Sequence, residues 1–504
     1  MTDVSVYNLR SALLPSVINN VVTLNNNVAK GIGLSGPATP LADWYLMYKR
    51  WEVIIHLNGG TLVMREAGTK YLPKEEGETD TIYRNRLDRS VLYGAYSRTV
   101  KSLSSLPFIT PIQFQDLPET LDYLRTAADG TDQDIESLCQ ELTQDIIDYG
   151  KCHILVEYPV VQDGLRAGEE RDNNIRPYFV RISPLNLIRW KTRRVGSVEV
   201  LSEVSIYEDV VETDPNDEFS ENVFKQVRII SENSVRIIRI TESNKRGKTI
   251  SDFTTVAEYP LTLGVIPLVT IYGANKIGFM QSAPLLEELA WLNVRHWGKQ
   301  SDLDNIEHVA NVPFALATGV GDEEMASVVL GSHMMLKMTS ENADIKYVEH
   351  SGAAIGTTQN SIKMLEDRMV AMGADLLSAK TSTRETAYSS DINNTKSISI
   401  LESLVRKLET GMKQAFAFAG MWMGVEANVT VDIGESLNLS LDANEMTSLV
   451  SMLKDEILTP EGLSKELKRR GILADSTEVN KPKKEEPKVL PGQPKPATPK
   501  PAGS

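Results

Sequence analysis

Few side chains in this sequence could do chemistry, and they are scattered. Six histidines and two cysteines occur in 504 residues. His296 and His308 stand twelve apart, a spacing that does not bring two imidazoles to one metal, and His333 and His350 lie further on. Cys139 and Cys152 lack metal-ligand spacing. The run Gly31-Ile32-Gly33-Leu34-Ser35-Gly36 fits the dinucleotide fingerprint letter by letter. That chemistry needs a strand before the glycines and a helix opening inside them. Here no apolar strand precedes and Pro37 and Pro40 follow, so a flexible Gly-rich turn is the better account. There is no Gly-rich loop ending in Lys-Ser or Lys-Thr, no His-Glu-x-x-His and no Gly-x-Ser-x-Gly elbow. A serine–histidine–aspartate triad can be scattered along a chain, so a hydrolase stays open as an alternative without positive support. No metal or cofactor is expected.

Charged groups offer a different chemistry, that of holding phosphate. Arg84, Arg86, Arg89 and Arg98 recur between Asp80 and Leu103, where a single helix is expected. They could form a phosphate patch, but a solvated or subunit-facing helix side is favoured. Lys380, Thr381, Thr383 and Arg384 lie in the almost wholly polar stretch Ser378–Asp391. One copy of such a loop would do little. If copies close into a ring with the loop inward, each cation becomes a ring of positive charge able to touch a duplex backbone without reading sequence.

The elements that would position this loop are three amphipathic rods. The first carries Leu285, Leu289, Leu292, Leu303, Ile306 and Ala310 on one face, with Trp291 and Trp297 beside it. The second carries Ile362, Leu365, Met369, Met372 and Leu376, and the third Ile398, Leu401, Val405, Leu408, Met412, Ala415, Ala419 and Trp422. Alternate spacing of three and four makes a narrow apolar seam of the kind helices use against helices. Gly298 interrupts the first rod at about 1 kcal/mol of helix propensity, so a bend is expected there. Val312-Pro313 ends that rod, and 312–352 holds short strands around a small helix.

Upstream, helices are expected over Asp43–Leu57, Asp80–Leu103, Leu117–Ala127 and Thr131–Tyr149. Strands follow over Cys152–Tyr158, Tyr178–Ile182, Val198–Tyr207, Val223–Ile230, Ser234–Thr241, Phe253–Tyr259 and Leu268–Tyr272. Asn244-Lys245-Arg246-Gly247 reads as a hairpin tip. Downstream come a short strand over Ala427–Ile433 and helices over Asp442–Glu456 and Pro460–Arg470. Ser476–Ser504 is rich in Lys and Pro and lacks an apolar face, which reads as disorder.

Composition sets wider bounds. The chain is long enough for several domains, is 41% hydrophobic, and has no apolar run able to cross a bilayer. Met1–Val17 lacks the layout of a secretory signal, and the cysteine usage suits synthesis in a reducing cytoplasm. A net charge of −15 argues against gripping nucleic acid by a broad basic surface. It is compatible with a wall that lets nucleic acid pass without sticking.

Several segments carry a family resemblance. They are Tyr71-Leu72-Pro73-Lys74 before the helix with Tyr83, Arg84 and Arg86, and Ser183-Pro184-Leu185-Asn186-Leu187-Ile188-Arg189-Trp190. Pro284-Leu285-Leu286-Glu287-Glu288-Leu289-Ala290 with Leu292-Asn293, and Thr386-Ala387 before the long helix containing Ser399, complete the set. In this order, with the rod–insert–rod–loop–rod layout, they resemble the portal proteins of tailed bacteriophages, in the group with an uncharacterised portal-like domain. The match spans roughly residues 40–475.

The resemblance implies a multidomain α+β portal fold in a ring, usually of twelve subunits, at one capsid vertex of the virion. Residues 1–40 would be an N-terminal arm and 41–281 the wing. Residues 282–311 and 356–377 would be the stem helices around a clip at 312–355. A tunnel loop at 378–392, a long wing helix and strand at 393–435, a crown at 436–475 and a tail at 476–504 would follow. Leu285, Leu289, Leu292, Leu365, Met369 and Met372 would pack the stem, and Lys380, Thr381, Thr383 and Arg384 would face DNA. Asp322, Glu323, Glu324 and His333 would meet the terminase or the adaptor at the clip. The implied role is not enzymatic. The ring would hold the large terminase subunit, pass double-stranded DNA during packaging and ejection, and then bind the head-to-tail adaptor. Major capsid and scaffolding proteins would be further partners, and no membrane is involved. A head-completion adaptor is the alternative from the same particle.

Overall fold

The computed structural model describes residues 36–159, 175–214, 217–245, 248–310, 314–318, 344–348, 353–372 and 387–434. The expected helices over 442–456 and 460–470 and the Lys/Pro tail lie outside these residues, as do residues 1–35 of the expected arm. The described chain mixes helix and strand, as the α+β expectation requires.

The first helix, α1 (Ala42–Asn58), runs within a residue of its expected bounds and is followed by α2 (Gly60–Ala67). Its aromatic residues make it a core element. Trp44 and Trp51 are fully buried, and each indole N–H donates to a carbonyl, Pro184 O at 3.1 Å and Tyr149 O at 3.1 Å. Apolar area is gained without an orphaned donor.

The single helix expected over 80–103 is two helices, α3 (Asp80–Arg89) and α4 (Ala95–Ser105). The hydroxyl of Ser90 lies 2.8 Å from Arg86 O, which satisfies the end of α3, and Gly94 opens α4. Of the four arginines in this stretch, Arg84, Arg89 and Arg98 are exposed. Arg86 fits neither the phosphate nor the solvated reading. It is buried, donates to both Glu78 carboxylate oxygens at 2.9 Å, and donates to Pro73 O at 2.8 Å. Tyr83 donates to Leu72 O at 3.0 Å, and Lys74 pairs with Asp80 at 2.7 Å. The Tyr71–Lys74 segment and the start of α3 are therefore one bonded structural unit.

Next come β1 (Gln113–Gln115) and α5 (Ile135–Tyr149). The helix expected over 117–127 is a 3₁₀ stretch, Glu119–Arg125, and α5 starts later than expected. Its cap is Asp134, whose carboxylate accepts from Ser137 N at 2.7 Å. Gly150 closes α5 at φ +79, and a Cβ there would sit 2.1 Å from Ala283 O, so only glycine fits.

The strands β2 (Lys151–Glu157) and β3 (Tyr178–Ile182) follow, then β4 (Leu187–Val195), β5 (Val198–Asp214), β6 (Asp217–Ser231), β7 (Ser234–Lys245), β8 (Lys248–Pro260) and β9 (Leu268–Tyr272). They form two antiparallel sheets, β3-β2-β9 and β4-β5-β6-β7-β8. The expected hairpin tip after Asn244 is present, since Lys245 pairs with Lys248. Two of the strands were expected at about half their length: β5 runs on to Asp214 and β6 starts at Asp217.

Short β10 (Lys276–Gly278) and β11 (Gln281–Ser282) lead into α6 (Glu287–Ala310). Then come β12 (Phe314–Thr318), β13 (Asp344–Val348), α7 (Ala353–Ala371), α8 (Ala387–Met423) and β14 (Thr430–Asp432), which pairs with β1. Helix α6 passes Gly298 without a break. Helix α8 takes in Ala387–Asp391, the end of the stretch expected to be polar loop, because a helix propagates through small polar residues once the turns beyond are packed.

The β3-β2-β9 sheet is covered on both faces. Gly411 of α8 stands over Ile271 and Val269, the cross-strand partners of Cys152 and Ile154. Lys151, His153 and Leu155 point the other way, toward α1 and the larger sheet. Double coverage explains why β2 is buried over six of its seven residues. Lys151 Nζ donates to Met280 O at 2.6 Å and lies 5.7 Å and 5.2 Å from the rings of Trp51 and Trp190. Burial pushes its pKa down to about 7.

Candidate functional site: the paired rods

Helices α6 and α7 lie side by side and antiparallel. His296 Nε2 is 3.2 Å from Glu366 Oε1, and Gln359 donates to Glu307 at 3.2 Å, so position rises on one helix as it falls on the other. On the described residues the two rods are joined through the antiparallel pair β12–β13, in register from Phe314↔Val348 to Thr318↔Asp344.

The buried face of α6 is not the seam expected for it. Leu289 and Leu303 are buried, but Leu285, Leu292 and Ile306 are only partly so. Ala290, Asn293, His296, Trp297 and Ser301 complete the buried face, while Trp291 is 47% exposed. The stripe is wide because α6 packs against α7, against α1 and against the α3–α4 connection. Its polar members hold that connection. Asn293 accepts from Tyr96 N at 3.0 Å and donates to Tyr93 O at 2.7 Å. Ser301 Oγ lies 2.8 Å from Ser90 Oγ, and the His296 ring stacks on Tyr93 at 4.9 Å. A break between two helices leaves backbone groups without helical partners, and these side chains supply them.

Helix α7 follows its seam more closely. Ile362, Leu365 and Met369 are buried. Met372 is 43% exposed, one residue past the helix, so in the single chain it does not pack the stem.

On the outer side of the pair, Arg295 of α6 and Arg368 of α7 line one shallow cleft of about 210 Å³ with Ser361, Met364 and Leu365. Neither guanidinium makes an ion pair among the described residues. Asp302, further along α6, has its carboxyl lifted above the ordinary value by partial burial, against the pull of Arg86 at 3.8 Å. Two unpaired guanidinium forks in one cleft can hold an anion, a phosphate or a carboxylate, by bidentate bonds. They supply neither a nucleophile nor a base for a reaction.

The expected DNA-facing residues Lys380, Thr381, Thr383 and Arg384 and the expected clip residues Asp322, Glu323, Glu324 and His333 lie outside the described residues. Arg295 and Arg368 escaped a reading that followed apolar spacing. The available signal was two arginines off the seam of two rods expected to pair. Among the described residues no group of His, Cys, Asp and Glu could hold a metal, and no helix is long and apolar enough to cross a membrane.

A family model described as a domain of unknown function (DUF4055) matches residues 284–423. That segment runs from the start of the first rod to the end of α8. No curated protein matches the chain. Among solved structures, a chain from the neck of a native gene transfer agent particle, computed with C12 symmetry, aligns at 10% identity and TM-score 0.38, over 74% of this chain and 88% of that one. A chain from the virion of a native gene transfer agent particle aligns at 11% identity and TM-score 0.38, over 81% and 98%. A chain from the neck of an empty particle, computed with C6 symmetry, aligns at 12% and 0.39, over 82% and 98%.

Proposed function

We propose that the chain is the subunit of a phage portal ring, the channel for double-stranded DNA at one capsid vertex and the platform for the terminase and then the head-to-tail adaptor. The observation that carries this reading is the order of elements from 287 to 423: a rod, an antiparallel two-stranded insert, an antiparallel second rod, then a long helix seated on the wing sheet. In such a ring α6 and α7 are the stem, the segment between them the clip and Ser378–Thr386 the tunnel loop, with Lys380 and Arg384 beside passing DNA. Residues 436–475 form the crown. The surface of the rods fits the role, since Trp291, Met364 and Met372 stay exposed on a single copy and repeat around a ring.

The test is native mass spectrometry with negative-stain microscopy of the purified full chain. Closed rings with a central hole are the expected result. A strictly monomeric species under all conditions, with no ring in assembled heads, would sink the proposal. A ring found only beneath an already assembled portal would assign the chain to the head-completion adaptor instead.

A further inference from the structure

One face of the large sheet carries a straight row of side chains across four strands. Arg189 of β4 stands across from Ser205 of β5, Ser205 from Ile229 of β6, and Ile229 from Arg236 of β7. Cross-strand partners share a face, so all four lie on the side opposite to Ile188 and Trp190. The segment before α1 crosses this face. At one end Leu41 N donates to Ile188 O of β4 at 3.0 Å. At the other, Gly36 sits so close to Phe253 of β8 that a Cβ would strike the ring at 2.7 Å. The segment therefore spans the sheet from β4 to β8 and walls a cleft of about 530 Å³.

The cations of this cleft are not neutralised within the described chain. Lys191 pairs with Glu203 at 2.8 Å. Arg189 donates only to a carbonyl, Thr39 O, at 3.4 Å. Arg236 is exposed and makes no ion pair among the described residues. Glu258, its partner on β8, is exposed and does not line the cleft. The wall from Gly36 to Ala42 contains no acidic residue. Two guanidinium groups thus remain without a carboxylate, in a chain whose net charge is −15. Between and below them Ile229 and Ile238, each 8% exposed, give the cleft an apolar floor. Arg189 also belongs to the Ser183–Trp190 segment, to which the ring gives no task.

We propose that this cleft binds a phosphate monoester with a ring-shaped body, of nucleotide size. A guanidinium fork bonds two oxygens at once, and two forks match the charge of a dianionic phosphate. Arginine side chains are long enough for both forks to reach one group held over the row between them. The Ser205 hydroxyl stands in the same row and can add a hydrogen bond. The isoleucine floor takes the body of the ligand. A few polar groups around an apolar surface is the usual make-up of a small-molecule site, and the volume exceeds what a bare phosphate fills. Binding needs one copy of the chain, so the site stands or falls apart from the portal ring.

Isothermal titration calorimetry of the full chain compares deoxyadenosine monophosphate with inorganic phosphate, deoxyadenosine and citrate. The monophosphate is expected to bind about tenfold or more tighter than each of the other three. Arg236→Gln weakens it about tenfold or more, the size of one lost charge-assisted pair. Arg236→Lys recovers only part of the loss, because the charge returns without the fork. Arg236 is exposed, so both variants melt with the parent, and Arg84→Gln, at an exposed arginine of α3, leaves binding unchanged. Absence of binding, or binding indifferent to Arg236→Gln, overturns the inference. Equal binding of inorganic phosphate overturns the ring-shaped body, and equal binding of deoxyadenosine overturns the phosphate. Tighter binding of citrate also overturns it and assigns the cleft to carboxylates. Ring formation, read by native mass spectrometry on the same samples, is unaffected by any of these results.

Discussion

Helix α8 and the α6–α7 pair both carry apolar seams at helical spacing, and the chain treats them differently. Along α8, Leu401, Val405, Leu408, Met412, Ala415 and Ala419 are all buried, each as the spacing implies. The main neighbour is the β3-β2-β9 sheet, with α5 and β14 beside it, and the sheet is approached so closely at Gly411 that a Cβ would meet Ile271 Cδ1 at 2.3 Å. From Leu401 to Ala419 the seam of α8 is used up inside the chain. The rods bury one side only and leave Trp291, Met364, Arg295 and Arg368 on the other. In the proposed ring, this apolar and cationic surface is the one left for contact between copies. The stability of the fold should therefore reside in α8 and the sheet beneath it, and assembly in the rods.

The largest expected effect sharpens that division. Leu408 is 0% exposed, and Leu408→Ala removes its buried side chain from the layer over β2 and β9, at a cost of about 2–5 kcal/mol. Chemical denaturation of the full chain measures it. A loss under about 1 kcal/mol would mean that the α8 layer is loose and the comparison misdrawn.

How much of this was legible differs between the same two regions. The α8 seam could be read because its period of three and four is unbroken and every seam residue is apolar. What lay across from it could not, because the width of a seam does not say whether a sheet or a helix fills it. The α6 face was misread for a definite reason. Asn293, His296 and Ser301 are polar, and a reading by hydropathy places polar residues outside. They are inside because the α3–α4 break offers backbone and hydroxyl partners that exist only in the folded chain. Arg86 is the same case on α3, pulled inward by Glu78 and the Pro73 carbonyl. Most strand positions of the two sheets were legible from alternation, but β4 was not among the expected strands, and the outer lengths of β5 and β6 were missed because those residues have no core to impose a pattern.

An intermediate effect probes the other face of the sheet that α8 covers. The folded pKa of Lys151 is depressed to about 7 by burial, whereas in the unfolded chain it keeps an ordinary lysine value. Between those values the unfolded state holds the proton and the folded state does not. Stability therefore rises with pH across that window, and below about pH 7 the contribution is constant at its least favourable. The slope attributable to Lys151 is on the order of 1 kcal/mol per pH unit. Lys151→Met removes it, so the difference between parent and variant, followed by denaturation from pH 7 to 10, isolates the term from the buried tyrosines. Parallel curves would mean that Lys151 keeps its proton inside the fold, held by Met280 O and the rings of Trp51 and Trp190.

The smallest effect on stability is the most informative about the rods. Trp291 is 47% and Met364 58% exposed, so replacing both with Ser should leave the unfolding free energy within about 0.5 kcal/mol per site. If the rods are an assembly surface, the same double variant nevertheless weakens self-association, measured by light scattering at matched concentration. A variant that is destabilised as much as Leu408→Ala would place these residues in the subunit's own core and erase the contrast with α8. A variant unchanged in both stability and association would show that the exposed side of the rods faces only solvent. The two measurements on one protein thus separate a surface that holds the chain together from one that holds chains to each other.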